Sequence, residues 1–357
     1  MHTPGHTPES ISYLVEENGR PTAIFTGGAL MPGGAARVDL LGSRIAPFLA
    51  RWLHNTIHEK LLKLPETVAV YPTHGGGSFC SAAPAGGGSI PSSIKEEREH
   101  NPFAAQIEEG DFVQFALANL GSYPRYFPRM ADINRRGPDV LGGVPRLASL
   151  TALSVRHQME GVHLVDARPE REFNIGHVPD AFAIPFGNSF ATWVGWIVPW
   201  GEPLVLLSTE SNQHDTMVRQ LIRIGYDRIN GFLAGGIDAW TAAGLPALST
   251  SRLDLEGLND LWNQPQAPLI IDVRQRSEFQ SGHISGALNI ELGELQDHLD
   301  GLPREIPVVT VCAAGMRATT AASILRRDGR DQVQVVDEKG TPAWIEMGYP
   351  SATGEEG

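Results

Sequence analysis

The segment PVVTVCAAGMR (307–317) sets a cysteine, Cys312, at the end of an apolar, β-branched run. A short loop follows, Ala313, Ala314, Gly315, Met316 and Arg317, and the next residues read as a helix beginning near Ala318 or Thr319. Strand, loop and helix N-terminus in this order place a thiol at the carboxyl edge of a parallel sheet, where open α/β folds build their sites. Successive loop amides facing inward form an anion nest, and the helix dipole adds partial positive charge. Arg317 is expected to add a full one. Such surroundings favour the thiolate, the nucleophilic form of cysteine. Gly315 suits a loop that needs positive φ, and the alanines leave the sulfur accessible.

A second cluster opens the chain. MHTPGHTPES carries His6 in a Pro-Gly-His-Thr turn, a shape that delivers an imidazole to a metal. FTGG (25–28) and YPTHGGGSFC (71–80), with His74 and Cys80, follow. Cys80 sits in a Gly/Ser-rich loop and reads as incidental.

These groups need scaffolds to hold them. The 357 residues suffice for two or three domains, and the apolar content of 41% lets each bury a core. The formal charge of −13 is spread along the chain, which disfavours nucleic acid and anionic membrane as partners. No apolar run is long enough to span a bilayer, no basic-then-apolar signal opens the chain, and two cysteines make no disulfide framework. The expectation is an acidic cytoplasmic protein. In the first part, SISYLVEENGRPTAIFTG reads as two strands joined at Asn18-Gly19, residues 44–64 as a helix, ETVAVYPTH as a short buried strand and GDFVQFALANLG as a second helix. A Pro-, Arg- and Gly-rich connector follows.

Residues 162–186 are then echoed by 268–292. Asp166 matches Asp272 and His177 matches His283, each 106 positions on; Trp240 matches Trp344, 104 positions on. A repeat of about 100 residues is a domain rather than a solenoid unit. Alternating β-branched runs and helical segments predict a parallel α/β sheet in each copy. His177 and His283, in Gly-His turns, and the pairs Asp166/Arg168 and Asp272/Arg274 read as structural ties. Aligning PLVLLS with PVVTVC puts Ser208 opposite Cys312, and the loop after it has no glycine and no arginine. A serine without a nearby base is a poor nucleophile and forms no persulfide, so the first copy is expected to be catalytically silent; a docking surface is the alternative role.

The second copy resembles the rhodanese (sulfurtransferase) family along its whole length, through Asp272-Val273-Arg274, Glu278-Phe279, Gly282-His283-Ile284, the Cys312–Arg317 loop and Trp344 with Gly348-Tyr349-Pro350. The resemblance implies that Cys312 takes a sulfane sulfur from thiosulfate or a low-molecular-weight persulfide, holds it as a persulfide in a cradle of Ala313, Ala314, Gly315 and Met316, and passes it to a thiophilic acceptor. No cofactor is required for that step. Related phosphatases use a loop one residue longer, so phosphate chemistry is disfavoured. One departure stands out: family members often carry Gly-Gly before the tryptophan, where this chain has Asp337-Glu338-Lys339-Gly340.

The opening residues resemble the second half of a metallo-β-lactamase-fold hydrolase of the glyoxalase II and persulfide dioxygenase branch. That resemblance implies an iron held by two histidines and an aspartate. His6 matches one histidine, Gly28 stands at the aspartate position, and the His-x-His-x-Asp-His segment is absent, so an N-terminally truncated domain is expected. His6 and His74 are the residual ligand candidates for a vestigial iron or zinc site. Half of such a sandwich exposes an apolar sheet face, to be covered by another copy of the chain or a partner. The expected organisation is a partial metallo-β-lactamase-like domain (1–130), a linker (131–150), a silent rhodanese-like domain (151–250) and an active one (251–357). The leading function is sulfur transfer. The alternatives are a persulfide dioxygenase or hydrolase completed by further sequence, and a non-enzymatic sulfur-binding scaffold.

Overall fold

The computed structural model describes residues 1–74 and 91–354. They form two compact units, Met1–Tyr123 and Pro124–Gly357. Among the described residues no helix is long and apolar enough to cross a membrane.

The first unit carries a four-stranded sheet in the order β1 (Tyr13–Glu17), β2 (Arg20–Gly27), β3 (Ala69–Pro72), β4 (Ser92–Ser93). The hairpin between β1 and β2 turns at Asn18 and Gly19, both at positive φ, as a tight Asn-Gly turn requires. The helix expected over 44–64 is in two parts: Ala46–Asn55 is α-helical, and Thr56–Leu61 is wound more loosely, with the Leu62 amide reaching five residues back to the Ile57 carbonyl. Its apolar side (Leu49, Leu53, Ile57, Leu61) packs on Ile24, Val70, Phe103 and Phe112 in one core. The expected apolar sheet face is present: Tyr13 and Phe25 are cross-strand partners, 67% and 49% exposed, beside Val15 at 40%. Cys80 lies outside the described residues.

The second unit opens with a helix, Phe127–Arg136, within the Pro/Arg/Gly-rich stretch. It then holds two five-stranded sheets of like topology. The first contains β5 (Ser149–Leu150), β6 (His163–Asp166), β7 (Phe182–Ala183), β8 (Leu204–Leu207) and β9 (Ile229–Leu233), in the order β5-β9-β8-β6-β7, all pairs parallel. The second contains β10 (Ser251–Arg252), β11 (Leu269–Asp272), β13 (Leu288–Asn289), β14 (Val308–Val311) and β15 (Val333–Val335), in the order β10-β15-β14-β11-β13, again all parallel. A small separate antiparallel pair joins β12 (His283–Ile284) with β16 (Ser351–Ala352). The 106-residue repeat is therefore a repeat of strand order, which the alternation of short apolar runs and helices predicts. The central strands β8 and β14 are buried at every position, because helices cover both faces of a parallel sheet.

The matched residues fill equivalent structural roles. The Arg168 guanidinium donates to Asp166 at 2.6 Å and to the Gly176 carbonyl at 2.8 Å; Arg274 does the same to Asp272 (2.7 Å) and Gly282 (2.8 Å). His177 stacks on Phe173 with ring centres 4.0 Å apart, and His283 on Phe279 at 3.6 Å, each bonded through Nδ1 to that phenylalanine's carbonyl. Burial pushes the His177 imidazole down to about 4, which suits a neutral structural group. Trp240 and Trp344 are buried and donate their indole N–H to the Pro246 and Pro350 carbonyls.

Candidate functional site

Cys312 is the residue after β14, the central strand of the second sheet. The chain then turns within Ala313–Gly315, and the helix Met316–Arg327 begins. The helix starts two or three residues earlier than the sequence suggests, so Met316 and Arg317 belong to its first turn. The reason is Gly315: its φ of 102° reverses the chain, and its carbonyl already accepts the Thr319 amide at 2.9 Å. Its N–H points the other way and donates to Cys312 Sγ at 3.1 Å. No side chain caps this helix, so its first-turn amides have no intrahelical acceptor and face the loop end. Cys312 itself is 2% exposed, whereas Ala314 is exposed and Ala313 half-buried. The expectation that the small alanines leave the sulfur accessible is therefore corrected: the Cys312 side chain is buried.

The segment 337–341 closes the cradle from behind. The Gly340 amide donates to the Ala313 carbonyl at 3.1 Å and the Thr341 amide to the Cys312 carbonyl at 2.8 Å. A Cβ on Gly340 would stand 1.7 Å from the Cys312 carbonyl oxygen; one on Gly315 would stand 2.1 Å from the Asp337 oxygen. A single glycine thus provides the close approach in Asp337-Glu338-Lys339-Gly340. The Thr341 hydroxyl also donates to Asp272 at 3.2 Å, tying the cradle to the end of β11.

Arg317 does not present a free charge. Its guanidinium is held by both oxygens of Glu278, at 2.6 and 2.9 Å. Burial works against ionising Glu278, but the hydrogen bonds and charge of Arg317 outweigh it and hold the carboxyl below its usual range. Burial likewise opposes the charge on Arg317, and Glu278, with smaller contributions from Cys312 and Asp272, raises it above the ordinary arginine range. The local positive field therefore comes chiefly from backbone amides. Residue spacing alone did not show this, because Glu278 and Arg317 are 39 positions apart.

In the first copy Ser208 occupies the place of Cys312, after β8. The expectation that no base stands nearby is corrected: His214 Nε2 lies 2.8 Å from Ser208 Oγ. His214 is the first residue of the helix His214–Arg223, so its side chain folds back over the preceding loop. It takes the position of Ala318 in the second copy, 104 residues on. Burial lowers its pKa, leaving a neutral ring. There is still no thiol, and Glu172, the counterpart of Glu278, meets Thr209 instead of an arginine.

The rhodanese-like domain family matches residues 149–243 and 255–347, more than half of the chain. The chain belongs to the rhodanese-like family. It is 40% identical over 75 residues to the probable metallo-hydrolase YqgX of Bacillus subtilis, covering 21% of this chain and 32% of that protein. It is 30% identical over 100 residues to the human mitochondrial persulfide dioxygenase ETHE1, covering 28% and 32%. The chain thus spans about a third of the length of these relatives. A solved metallo-β-lactamase from Staphylococcus aureus subsp. aureus COL superposes with a TM-score of 0.54 at 27% identity, covering 65% of each chain. The protein is a fusion of a metallo-β-lactamase-like N-terminal region with two rhodanese-like domains.

Among its described residues, that N-terminal region does not bring together the donors its fold family uses for a metal. His6 is half-buried, and its Nδ1 is bonded to the Arg37 carbonyl at 2.8 Å. Its ring lies against Gly28: a Cβ there would come within 3.3 Å of the imidazole and 2.8 Å of the Ala36 methyl. The structure thus confirms that His6 and position 28 are neighbours, but the neighbour offers no carboxylate. Among the described residues no three of His, Cys, Asp and Glu converge as metal ligands. His74 is half-buried at the end of the described segment after β3. The described residues do not fit a three-ligand iron or zinc site.

Proposed function

We propose that this rhodanese-like protein is a sulfurtransferase acting through Cys312. The observation that carries the reading is the Gly315 N–H directed at Sγ, at the end of a central parallel strand and before an uncapped helix N-terminus. The Cys312 thiolate attacks the outer sulfur of thiosulfate or of a small persulfide. A new S–S bond forms, and sulfite or the donor thiolate leaves with the electron pair of the broken bond. The terminal sulfur of the enzyme persulfide carries negative charge, which the Gly315 amide and the first-turn amides stabilise. A thiophilic acceptor then attacks that sulfur, and Cys312 leaves again as thiolate. No metal or organic cofactor enters either step.

Thiosulfate:cyanide sulfurtransferase assays on wild type and Cys312→Ser, with intact-mass detection of one added sulfur, test the proposal. Transfer and a persulfide in wild type, both lost in the variant, support it. Equal rates in the two proteins remove it.

A further inference from the structure

The first rhodanese-like domain has no thiol, yet one of its side chains reaches the cradle of the second. Asn174, in the helix Glu170–Ile175, is 1% exposed. Its amide nitrogen donates to Thr319 Oγ1 and to Asp337 Oδ2, each at 3.1 Å. Both acceptors flank Gly315. The Thr319 amide bonds the Gly315 carbonyl, and the Asp337 carbonyl is the atom that leaves no room for a side chain on Gly315. One amide group of the first domain therefore grips the two elements between which Gly315 is held, while Gly315 aims its N–H at Cys312 Sγ. Arg252, at the start of the second domain's sheet, pairs with the same Asp337 carboxylate and with Glu338 at 3.0 Å, and Glu338 also faces Arg171 of the first domain at 3.7 Å.

We propose that Asn174 is a positioning residue for Cys312: the thiol-free domain sets the geometry of its partner's sulfur cradle. The physical basis is that a buried hydrogen-bond donor with two acceptors fixes both in one arrangement; without it Asp337 keeps its pairing to Arg252 but loses its tie, through Asn174, to Thr319 and the helix that follows Gly315. The proposal rests on the reading of Cys312 as the sulfur carrier, and the test separates the two.

Asn174→Ala is compared with wild type and with Ser323→Ala. Ser323 also bridges the domains, accepting the Ala183 amide at 3.1 Å, but lies further along the helix from Cys312. Two quantities are read: steady-state sulfur transfer, and the rate at which iodoacetamide alkylates Cys312, followed on its own peptide because Cys80 also carries a thiol. Asn174→Ala is expected to lower kcat roughly tenfold with KM for thiosulfate within about twofold, and to speed alkylation as the packing around the buried Cys312 loosens. Ser323→Ala is expected to lower the unfolding midpoint while keeping wild-type kcat and alkylation. If Asn174→Ala does not fold, Thr319→Ala removes one of the two bonds from the other side, with the same expected direction. Wild-type kcat and alkylation in the variant, or equal effects from Ser323→Ala, overturn the proposal. If wild type itself transfers no sulfur, the alkylation rates alone decide: faster in Asn174→Ala upholds the positioning role, and no change refutes it.

Discussion

Replacing Gly340 with alanine puts the packing of the cradle to a direct test. The φ there is −71°, outside the left-handed region, and the cost that the structure sizes is one of space. The new Cβ would lie 1.7 Å from the Cys312 carbonyl oxygen, and real Cβ contacts are essentially never under 3.0 Å. The 337–341 segment must therefore retreat from the strand end by about 1.3 Å, the difference between those two distances. That retreat breaks the Gly340 to Ala313 and Thr341 to Cys312 hydrogen bonds, 3.1 and 2.8 Å in the wild type. Two hydrogen bonds at about 1 kcal/mol each, with about 1–3 kcal/mol of overpacking, give a loss of about 3–5 kcal/mol. The stiffer unfolded chain of an alanine variant offsets less than about 1 kcal/mol of it. An ångström-scale shift beside the reacting atom also costs about 10²-fold in rate. Urea unfolding and thiosulfate:cyanide turnover measure the two effects. Gly301→Ala is the control, because nothing lies within 4 Å of its added Cβ; it should stay within about 0.5 kcal/mol of wild type. A Gly340→Ala protein as stable and as active as that control would refute the close-approach reasoning.

Other expectations concern charge, the first copy and the N-terminal region. Glu278→Gln leaves Arg317 half-buried without a counter-charge and should cost about 1.5–3 kcal/mol at neutral pH by urea titration. Because the folded carboxyl sits below its usual range, the pair's stabilisation is present above the unfolded glutamate value of about 4.3 and is lost as pH falls through the folded value; wild type and variant should converge there. His177 behaves with the same sign for a basic group. With a folded value of about 4 against 6.5, stability is full above pH 6.5 and declines as pH falls toward 4, by about 3 kcal/mol in total, and His177→Gln should flatten that decline in pH-dependent unfolding. Ser208→Ala should leave Cys312-dependent transfer unchanged, since Ser208 serves only the first copy's His214 contact; a tenfold fall would give the first copy a chemical role. Protein purified after growth with added iron and zinc should contain neither stoichiometrically, and His6→Ala should not alter its content.

The candidate nucleophile was legible because its chemistry is local. A β-branched run, a cysteine, small residues, a glycine and a helical pattern occupy consecutive positions, and local order is what short-range sequence patterns encode. The two-domain repeat was legible for a similar reason: period and hydrophobic alternation survive without knowledge of contacts, and they fixed the parallel sheets. The Asn18-Gly19 hairpin followed from the φ values those residues tolerate. By contrast, the sequence placed the start of the active-site helix too late, since a glycine at φ 102° decides where the first turn closes and sequence shows only that glycine permits it.

The contacts beyond the local loop were decided by the tertiary structure. Glu278 neutralises Arg317, Gly340 packs on Cys312, His214 meets Ser208, and Asn174 crosses from one domain to the other. Each joins groups separated by six to more than a hundred residues, and spacing carries no information about which of many polar side chains will meet once the sheets are packed. Composition and order thus determined that a thiol would stand at the edge of a parallel sheet. Which charges and backbones surround it followed only from folding, because burial forces polar groups to find partners wherever the packed chain brings them.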